Sequence, residues 1–380
     1  MKEYSLVIAS NFMDHYMLAL SNELNKYFRD FCFVASERLE EKYKNLGFAD
    51  LNEKEFVFKA YENPEKAREI ILNADIVFTG SYVYQKHIRE RMKQKKLTLY
   101  FSERLFKSDN VIGKVLRFIK YNYRHGGDKR SPLLCISGYA AGDYNSLGLF
   151  KNNTYKFGYF PVVKKYDDVN SLIESKKKNS LIWVGRLIEW KHPLFALDIA
   201  KRLKELGYDF SLTMIGNGPL KEKIHSMVKE YGLDNYVSIY DQGMSPEEVR
   251  KHMEASEIYL FTSDKGEGWG VVLNEALNSA CAVIASYSAG STPFLMEDEA
   301  NGLVYRNDDY EQLLELTKKV LDDADLKKKL AYNAYKSIVE EWNCEVAAER
   351  FYQVADRLLN HKDISDMYEK GIFSRAVPIK

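Results

Sequence analysis

The fold is decided by residues 261–280, FTSDKGEGWGVVLNEALNSA, in which an apolar strand runs into a glycine-rich loop and then a helix. Three glycines permit sharp turns and leave the first helical amides open, namely Gly266, Gly268 and Gly270. Those amides and the helix dipole suit a phosphate group. Glu267 and Glu275 add carboxylates that accept hydrogen bonds from hydroxyls. The stretch predicts a nucleotide-sugar site, with Glu267 facing the sugar and Glu275 the ribose diol. The alternative is a pair of solvated surface glutamates.

The same stretch resembles the motif of the retaining glycosyltransferases of family 4, which have the GT-B fold and carry Glu-x7-Glu in this context. The resemblance is carried by Ser263, Glu267-Gly268-Trp269-Gly270 and Glu275-Ala276-Leu277. It implies donor contacts at Glu275 and at four consecutive loop residues, Gly268, Trp269, Gly270 and Val271. The chain departs from the family at residues 279–282, Ser-Ala-Cys-Ala, where Gly and Pro are common.

A second motif lies in residues 181–193, LIWVGRLIEWKHP, where a buried strand ends at Gly185. Arg186 and Lys191 follow the strand at the edge where open α/β sheets bind ligands. Arginine grips a diphosphate bidentately and lysine supplies a point charge. Both match the Gly-Arg-Leu…Lys motif of the same family, which implies a phosphate role; ordinary loop cations are the alternative. Residues 214–220, MIGNGPL, resemble a family turn that would bring Gly216 near the donor, although a tight strand-to-helix turn also explains them.

Composition narrows the class of protein. The 380 residues suffice for two domains, and 55 basic and 55 acidic residues give a formal net charge of zero. The four cysteines are far apart in the sequence, which argues against a zinc site or a disulfide framework and fits a reducing cytoplasm. Residues 1–9 read as a first strand, because they are too short and too interrupted by charge for a signal peptide. No apolar run approaches the roughly 20 residues that span a bilayer.

Short apolar runs alternate with amphipathic stretches along the chain, as in parallel α/β proteins. Strands are predicted at Ser5–Ala9, Phe31–Ala35, Ile76–Thr79, Leu97–Phe101 and Leu133–Ser137, and again at Leu181–Gly185, Phe210–Ile215, Tyr236–Ile239, Ile258–Thr262 and Ala282–Ala285. With the resemblance, these two series predict a GT-B fold of two Rossmann-like, doubly wound domains facing across a cleft. The expected division is an acceptor-side domain over residues 1–163, a charge-dense linker over 164–179, a nucleotide-sugar domain over 180–345, and a helical segment over 346–380 that packs back toward the first domain.

The first domain carries the resemblance only by pattern. It lacks Gly-x-Gly-x-x-Gly after the first strand, which argues against a nicotinamide or flavin site. Asp14 and His15 follow the first predicted strand, and Glu103 and Arg104 follow the fourth, so all four are candidates for acceptor contact. The alternatives are a helix cap for Asp14, a surface position for His15 and a salt bridge between Glu103 and Arg104.

Residues 86–130 are rich in cations. Within them, residues 111–124 alternate basic and apolar groups at helical spacing, as interfacial helices do. Either an anionic membrane surface or ordinary packing on the domain explains the pattern. Nucleic acid is disfavoured because no binding motif accompanies the cations.

The resemblance implies a retaining glycosyltransferase that moves a hexosyl group from a UDP- or GDP-sugar to a glycan or lipid-linked acceptor, in the cytoplasm or peripherally at the inner face of the cell membrane. Arg186, Lys191 and Glu267 would be the catalytic residues. No metal or other cofactor is expected, since the two cations supply positive charge and Asp323-Ala-Asp325 lies between late helices. A nucleotide-sugar epimerase and a non-catalytic carbohydrate-binding protein of the same fold remain alternatives.

Overall fold

Two parallel β-sheets organise the chain, each within its own unit. The computed structural model describes residues 3–39, 50–80, 83–106, 111–126, 130–306 and 309–379, with the backbone alone for residues 111–114. Met1–Val162 and Asn343–Lys380 form the first unit, and Val163–Trp342 forms the second.

The first unit contains a parallel sheet of seven strands in the order β3-β2-β1-β4-β5-β6-β7. The strands are β1 (Ser5–Ser10), β2 (Asp30–Ala35), β3 (Val57–Lys59), β4 (Ile76–Thr79), β5 (Leu97–Ser102), β6 (Leu133–Cys135) and β7 (Thr154–Lys156). The helices that accompany them are α1 (His15–Tyr27), α2 (Pro64–Asn73), α3 (Gln85–Lys93), α4 (Val111–His125) and α5 (Ala140–Ser146). The strand order reverses between β1 and β4, which is the doubly wound arrangement.

The second unit repeats this plan with six parallel strands in the order β10-β9-β8-β11-β12-β13. The strands are β8 (Lys177–Val184), β9 (Ser211–Ile215), β10 (Val237–Tyr240), β11 (Ser256–Phe261), β12 (Ala282–Ser286) and β13 (Leu303–Tyr305). The helices are α6 (Val169–Ser175), α7 (Pro193–Glu205), α8 (Lys221–Glu230), α9 (Pro246–Ala255), α10 (Val272–Asn278), α11 (Thr292–Leu295), α12 (Tyr310–Asp322) and α13 (Ala324–Glu340). The order reverses between β8 and β11.

The last helix, α14 (Cys344–Leu359), belongs to the first unit although it follows the second in the chain. Its Phe351 ring packs edge-on against Phe78 of β4, with centroids 5.2 Å apart, and against Phe28, 6.1 Å away. Further along, the peptide N–H of Ala376 donates to the Thr154 carbonyl of β7 at 3.0 Å. Residues 343–380 therefore complete the core and one edge of the first unit.

The doubly wound parallel sheets expected from the sequence are confirmed. All ten predicted strands are present, and Ile76–Thr79 is reproduced to the residue. Three strands were not predicted, β3, β7 and β13, and each is a three-residue edge strand. So short an edge strand has too few residues to show the alternation that marks a strand in sequence.

The charge-dense stretch over residues 164–179 differs from the predicted linker. It contains α6, whose N-cap Asp168 accepts from the Asn170 and Ser171 amides, and the first residues of β8. Between them, the buried Lys176 ammonium donates to four backbone carbonyls. These belong to Met253 (3.1 Å), Glu254 (3.0 Å), Ser256 (2.9 Å) and Ser279 (2.9 Å). A cation that ties the stretch to α9, β11 and α10 gives it a fixed place in the second unit.

Across the described ranges, no helix combines the length and the apolarity needed to cross a membrane.

Candidate functional site

The candidate site lies where the strand order of the second sheet reverses. β8 and β11 are parallel neighbours, with Leu181 opposite Ile258, so the loops after both strands leave the same edge of the sheet. Open α/β sheets bind ligands at this point, because the two loops diverge and leave a crevice. The loop after β8 contains Arg186 and Lys191, and the loop after β11 contains Glu267. The topology thus brings together the two motifs that the sequence placed about 80 residues apart.

Hydrogen bonds hold these two loops to one another. The Thr262 hydroxyl donates to the Lys191 carbonyl at 2.6 Å and accepts from the indole N–H of Trp183 at 2.8 Å. The His192 ring nitrogen Nε2 lies 3.0 Å from Asp264 Oδ2. Since Thr262 and Trp183 are buried, the backbone around Lys191 is fixed before any ligand arrives.

Lys191 and Glu267 form an ion pair between the loops. Their side chains are only 11% and 14% exposed, so water screens the pair poorly. The Ser263 hydroxyl lies 3.3 Å from the same Glu267 oxygen, Oε2, as a second donor. Arg186 is exposed instead, with its guanidinium carbon 5.5 Å from the centre of the Trp190 ring. Lys191 is therefore paired with the Glu267 carboxylate, whereas Arg186 lies beside the Trp190 ring and is exposed to solvent.

Gly185 and Gly216 are in direct backbone contact. The Gly185 amide donates to the Ile215 carbonyl at 3.0 Å, and a Cβ on Gly216 would lie 1.8 Å from the Gly185 carbonyl oxygen. Gly216 also has a φ of +148°, which side chains rarely adopt. Gly216 is thus required by the close approach of the loops after β8 and β9, which agrees with the tight strand-to-helix turn.

Comparison with known proteins assigns this unit. A family model described as "Glycosyl transferases group 1" matches residues 165–337. This part of the chain is similar to the group 1 glycosyltransferases.

Curated relatives of the chain agree with that assignment. It is 25% identical over 270 residues to the capsular polysaccharide biosynthesis glycosyltransferase CapH of Staphylococcus aureus, covering 67% of this chain and 72% of CapH. It is 29% identical over 161 residues to an N-acetylgalactosamine-N,N'-diacetylbacillosaminyl-diphospho-undecaprenol 4-alpha-N-acetylgalactosaminyltransferase of Campylobacter jejuni, covering 42% of this chain and 41% of that protein.

A solved structure supports the fold of the whole chain. The crystal structure of HepE from Anabaena in complex with UDP superposes with a TM-score of 0.69, covering 93% of this chain and all of HepE at 14% identity. The predicted GT-B fold class is thereby confirmed, and at this identity the likeness concerns the fold alone.

Within the matched residues, Trp269 has a structural role through its side chain. Its side chain is buried, and its indole N–H donates to Asn274 Oδ1 at 2.9 Å. The ring packs near Phe294 and Trp342, each with centroids 6.3 Å away. A side chain enclosed in this way offers no surface to a donor, so its part is to anchor the loop behind Glu267.

The loop after β12 supports the Glu267 loop through the backbone. The Gly290 amide donates to the Glu267 carbonyl at 3.2 Å, and Ser291 donates to the Trp269 carbonyl through both its amide (3.1 Å) and its hydroxyl (2.6 Å). Gly268, Gly270 and Val271 lie between these anchors and the start of α10. Gly270 has a φ of +89°, and a Cβ there would meet the Phe261 ring at 2.5 Å. The loop is therefore built around glycine at this position.

Glu275 lies in the first turn of α10. Burial raises the pKa of its carboxyl above the ordinary value, and the Arg250 charge partly offsets this rise in pKa. A carboxylate in such a place has lost hydration, so it gains from any hydroxyl donor that reaches it.

The four acceptor-side candidates lie in the first unit. Asp14 is the N-cap of α1 and accepts from the Met17 amide at 2.7 Å, as the helix-cap alternative expects. Burial raises the pKa of its carboxyl. His15 is the exposed first residue of the helix. Glu103 accepts from the Tyr159 hydroxyl at 3.1 Å. Arg104 lies over the Tyr139 ring, with its guanidinium carbon 4.5 Å from the ring centre.

Tyr159 was missed by the sequence analysis. Burial and the charges of Glu103 and Asp14 raise the pKa of its hydroxyl. Its ring also lies 6.2 Å from that of Tyr16. Tyr159 follows β7, one of the unpredicted edge strands, so nothing in the sequence placed it at this edge of the sheet.

In the described part of the chain, no cluster of three or more His, Cys, Asp or Glu side chains is arranged to hold a metal ion. Asp323 of the Asp-x-Asp sequence is the N-cap of α13 and accepts from the Leu326 amide at 2.9 Å.

Proposed function

We propose that the protein transfers a hexosyl group from a UDP- or GDP-sugar to a glycan or lipid-linked acceptor, with retention of anomeric configuration. The observation that carries this proposal is the Lys191–Glu267 pair at the point where the strand order reverses, with Arg186 at its mouth. An ammonium beside a carboxylate offers one group for phosphate oxygens and one for sugar hydroxyls within a few ångströms, as a sugar diphosphate requires.

Leaving-group electrostatics would drive the reaction. As the glycosidic bond breaks, negative charge grows on the diphosphate. Arg186, Lys191 and the amides of residues 268–271 would stabilise that charge, and such fixed groups often supply the largest part of catalysis. Because these cations are provided by the protein, we propose that turnover needs no added divalent metal, so activity is expected to survive treatment with EDTA.

Two carboxylates would orient the donor. Glu267, held by Lys191 and Ser263, would accept hydrogen bonds from the sugar hydroxyls. Glu275 would accept them from the ribose diol, which would replace part of the hydration that burial removes.

The acceptor class is suggested by the relatives. CapH is named for capsular polysaccharide biosynthesis, and the name of the Campylobacter enzyme describes a diphospho-undecaprenol acceptor. A glycan, free or linked to lipid, is therefore the proposed acceptor, and the Asp14, Glu103 and Tyr159 groups of the first unit are proposed to contact it.

A panel of nucleotides and nucleotide sugars tests the proposal by thermal shift. A ligand at about 100 times its Kd stabilises the folded form by about 2.7 kcal/mol, which should raise the Tm by roughly 5 °C or more for a unit of this size. Arg186→Met should abolish most of the shift. Arg202→Met, which removes an exposed cation paired with Glu205 on α7, should not.

The binding ligand is then incubated with and without glycan acceptors. Transfer that requires the acceptor and retains the anomeric configuration supports the proposal. Conversion of the nucleotide sugar alone would identify an epimerase, and binding without any turnover would favour a carbohydrate-binding role. A panel in which no nucleotide or nucleotide sugar shifts the Tm at millimolar concentration would refute the proposed donor.

A further inference from the structure

The helix α4 (Val111–His125) packs on the first unit through its polar and aromatic face. The Tyr121 ring meets that of Tyr144 edge-on at 5.5 Å, and the His125 ring meets that of Tyr100 at 4.6 Å. Arg124 Nε donates to Gln85 Oε1 at 2.8 Å. Tyr121, Arg124 and His125 are all buried and, at a spacing of three and four residues, share one side of the helix. This side fixes the helix to its domain.

Five apolar residues of the helix face outward. They are Val115, Leu116, Phe118, Ile119 and Tyr123, with 57%, 64%, 49%, 62% and 66% of their surface exposed. Phe118 borders the packed side of the helix, and the other four lie opposite that side. They are five of the thirteen large hydrophobic residues exposed in the described ranges, and they lie on three turns of one helix. The helix does pack on its own domain, as the alternative reading of the sequence expects, but these five side chains remain largely exposed. A contiguous outward apolar face of this kind marks an interaction surface.

Cations lie at the border of this apolar face. Residues 110–126 contain no acidic residue, and their basic residues are Lys114, Arg117, Lys120 and Arg124, of which Arg124 is buried on the packed side. Lys120 is exposed beside the apolar residues, and Arg117 lies over the Phe106 ring at 5.7 Å. From the neighbouring helix α3, the Arg89 guanidinium lies 4.0 Å from the centre of the Tyr123 ring. Residues 86–130 contain further cations, of which Lys107, Lys129 and the Lys114 side chain lie outside the described residues.

We propose that the outward face of α4 docks on an anionic lipid bilayer, with its apolar side chains between the lipids and its cations at the headgroups. Apolar burial and attraction to anionic lipids add in such a helix, which lies in the plane of the interface. A second copy of the chain is a poorer occupant, since pairing two such faces would bring Arg89, Arg117 and Lys120 toward their own counterparts without a described acidic residue on the helix to receive them.

If the proposed function is correct, the position of α4 also affects how a lipid-linked acceptor reaches the site. The helix follows β5, and the connection between them carries Glu103 and Arg104. A bilayer on α4 would therefore lie near the carboxyl edge of the first sheet, where the proposed acceptor contacts are. A lipid-linked acceptor would reach them without leaving its membrane.

Vesicle flotation tests the docking without any enzymatic assay. Phosphatidylcholine vesicles are compared with vesicles that contain 30 mol% phosphatidylglycerol, at low and high salt. We expect binding to the anionic vesicles that weakens with salt. Lys120→Glu should weaken it roughly 30-fold, because each basic residue near the surface contributes about 1 kcal/mol and the reversal changes the charge by two. The double variant Leu116→Ser/Ile119→Ser should weaken binding to anionic vesicles at least about tenfold.

Matched controls separate this face from general effects. Leu206→Ser/Val377→Ser removes two other exposed apolar residues, and Lys178→Glu reverses another exposed lysine. Both controls should bind as the unmodified protein does. Equal binding by Leu116→Ser/Ile119→Ser and its control would overturn the proposal. So would dissociation of a dimer by this variant in analytical ultracentrifugation with vesicle binding unchanged, because the face would then serve self-association. Transfer to a water-soluble acceptor should be unaffected by these variants, so failure of docking and failure of the proposed function can be told apart.

Discussion

The ion pair between Lys191 and Glu267 makes a prediction that separates a structural role from a functional one. Lys191→Met keeps the length of the side chain and removes its charge. It leaves the Glu267 carboxylate, which is 14% exposed, with the Ser263 hydroxyl at 3.3 Å as its remaining described side-chain partner. Leaving one member of a mostly buried pair in this state should cost about 1–3 kcal/mol of unfolding free energy.

Glu267→Gln should lower the unfolding free energy by a similar amount, since it leaves the Lys191 ammonium without its carboxylate partner. The double variant should recover about 1–2 kcal/mol relative to the sum of the two single variants, because neither uncompensated charge remains. Urea denaturation of all four proteins measures this coupling.

The double variant should recover stability without recovering turnover. If Lys191 stabilises charge on the leaving diphosphate, its loss should lower kcat by roughly 10²- to 10³-fold, which is about 2.7–4 kcal/mol of transition-state stabilisation. The double variant should be at least as impaired as Lys191→Met alone. Transfer rates at saturating donor provide the measurement. A double variant that regains turnover together with stability would refute the reasoning, because the pair would then be only a structural bridge.

Three further predictions concern positions where the structure leaves little freedom. Gly216→Ala would place a Cβ 1.8 Å from the Gly185 carbonyl oxygen, so we expect a loss of several degrees in Tm and of donor affinity together; an unchanged Tm would contradict the close loop contact. Lys176→Met leaves four carbonyls without their shared donor and should lower the unfolding free energy by about 1–3 kcal/mol in urea titrations, more than Lys178→Met, its exposed neighbour. Burial lowers the pKa of His125 to about 3, so the folded form resists a proton that the unfolded form accepts near pH 6.5. Stability should therefore fall by about 2 kcal/mol between pH 7 and pH 5, and denaturation of His125→Phe across this range should show a smaller fall.

The sequence predicts most strands of this fold because parallel sheets bury their central strands on both faces. Ile76–Thr79 is buried throughout and therefore reads as an uninterrupted apolar run. A helix cap can be read from the sequence for a different reason, because it depends on residues only three apart. Ser245 and Glu248 form such a capping box at the start of α9.

What could not be predicted depends on partners distant in the sequence. Charge around residues 164–179 favoured a solvated linker, but the Lys176 ammonium lies among carbonyls up to 103 residues away. Trp269 in a glycine loop suggested a ligand contact, but Trp342, far along the chain, helps to enclose it. The pairing of Lys191 with Glu267 spans 76 residues, so each could be proposed for the site but not their contact.

The return of residues 343–380 to the first unit sets the order in which the protein can mature on the ribosome. Phe351 packs against both Phe28 and Phe78, so the core of residues 1–162 remains open until residues 343–380 emerge. The intervening segment Val163–Trp342 must be translated first, which takes roughly 10–40 s at 5–20 residues per second. During that interval the second unit can finish folding while the first presents unsatisfied apolar surface to the translation machinery and its chaperones. Truncation within α14 would leave the apolar core of the first unit permanently exposed.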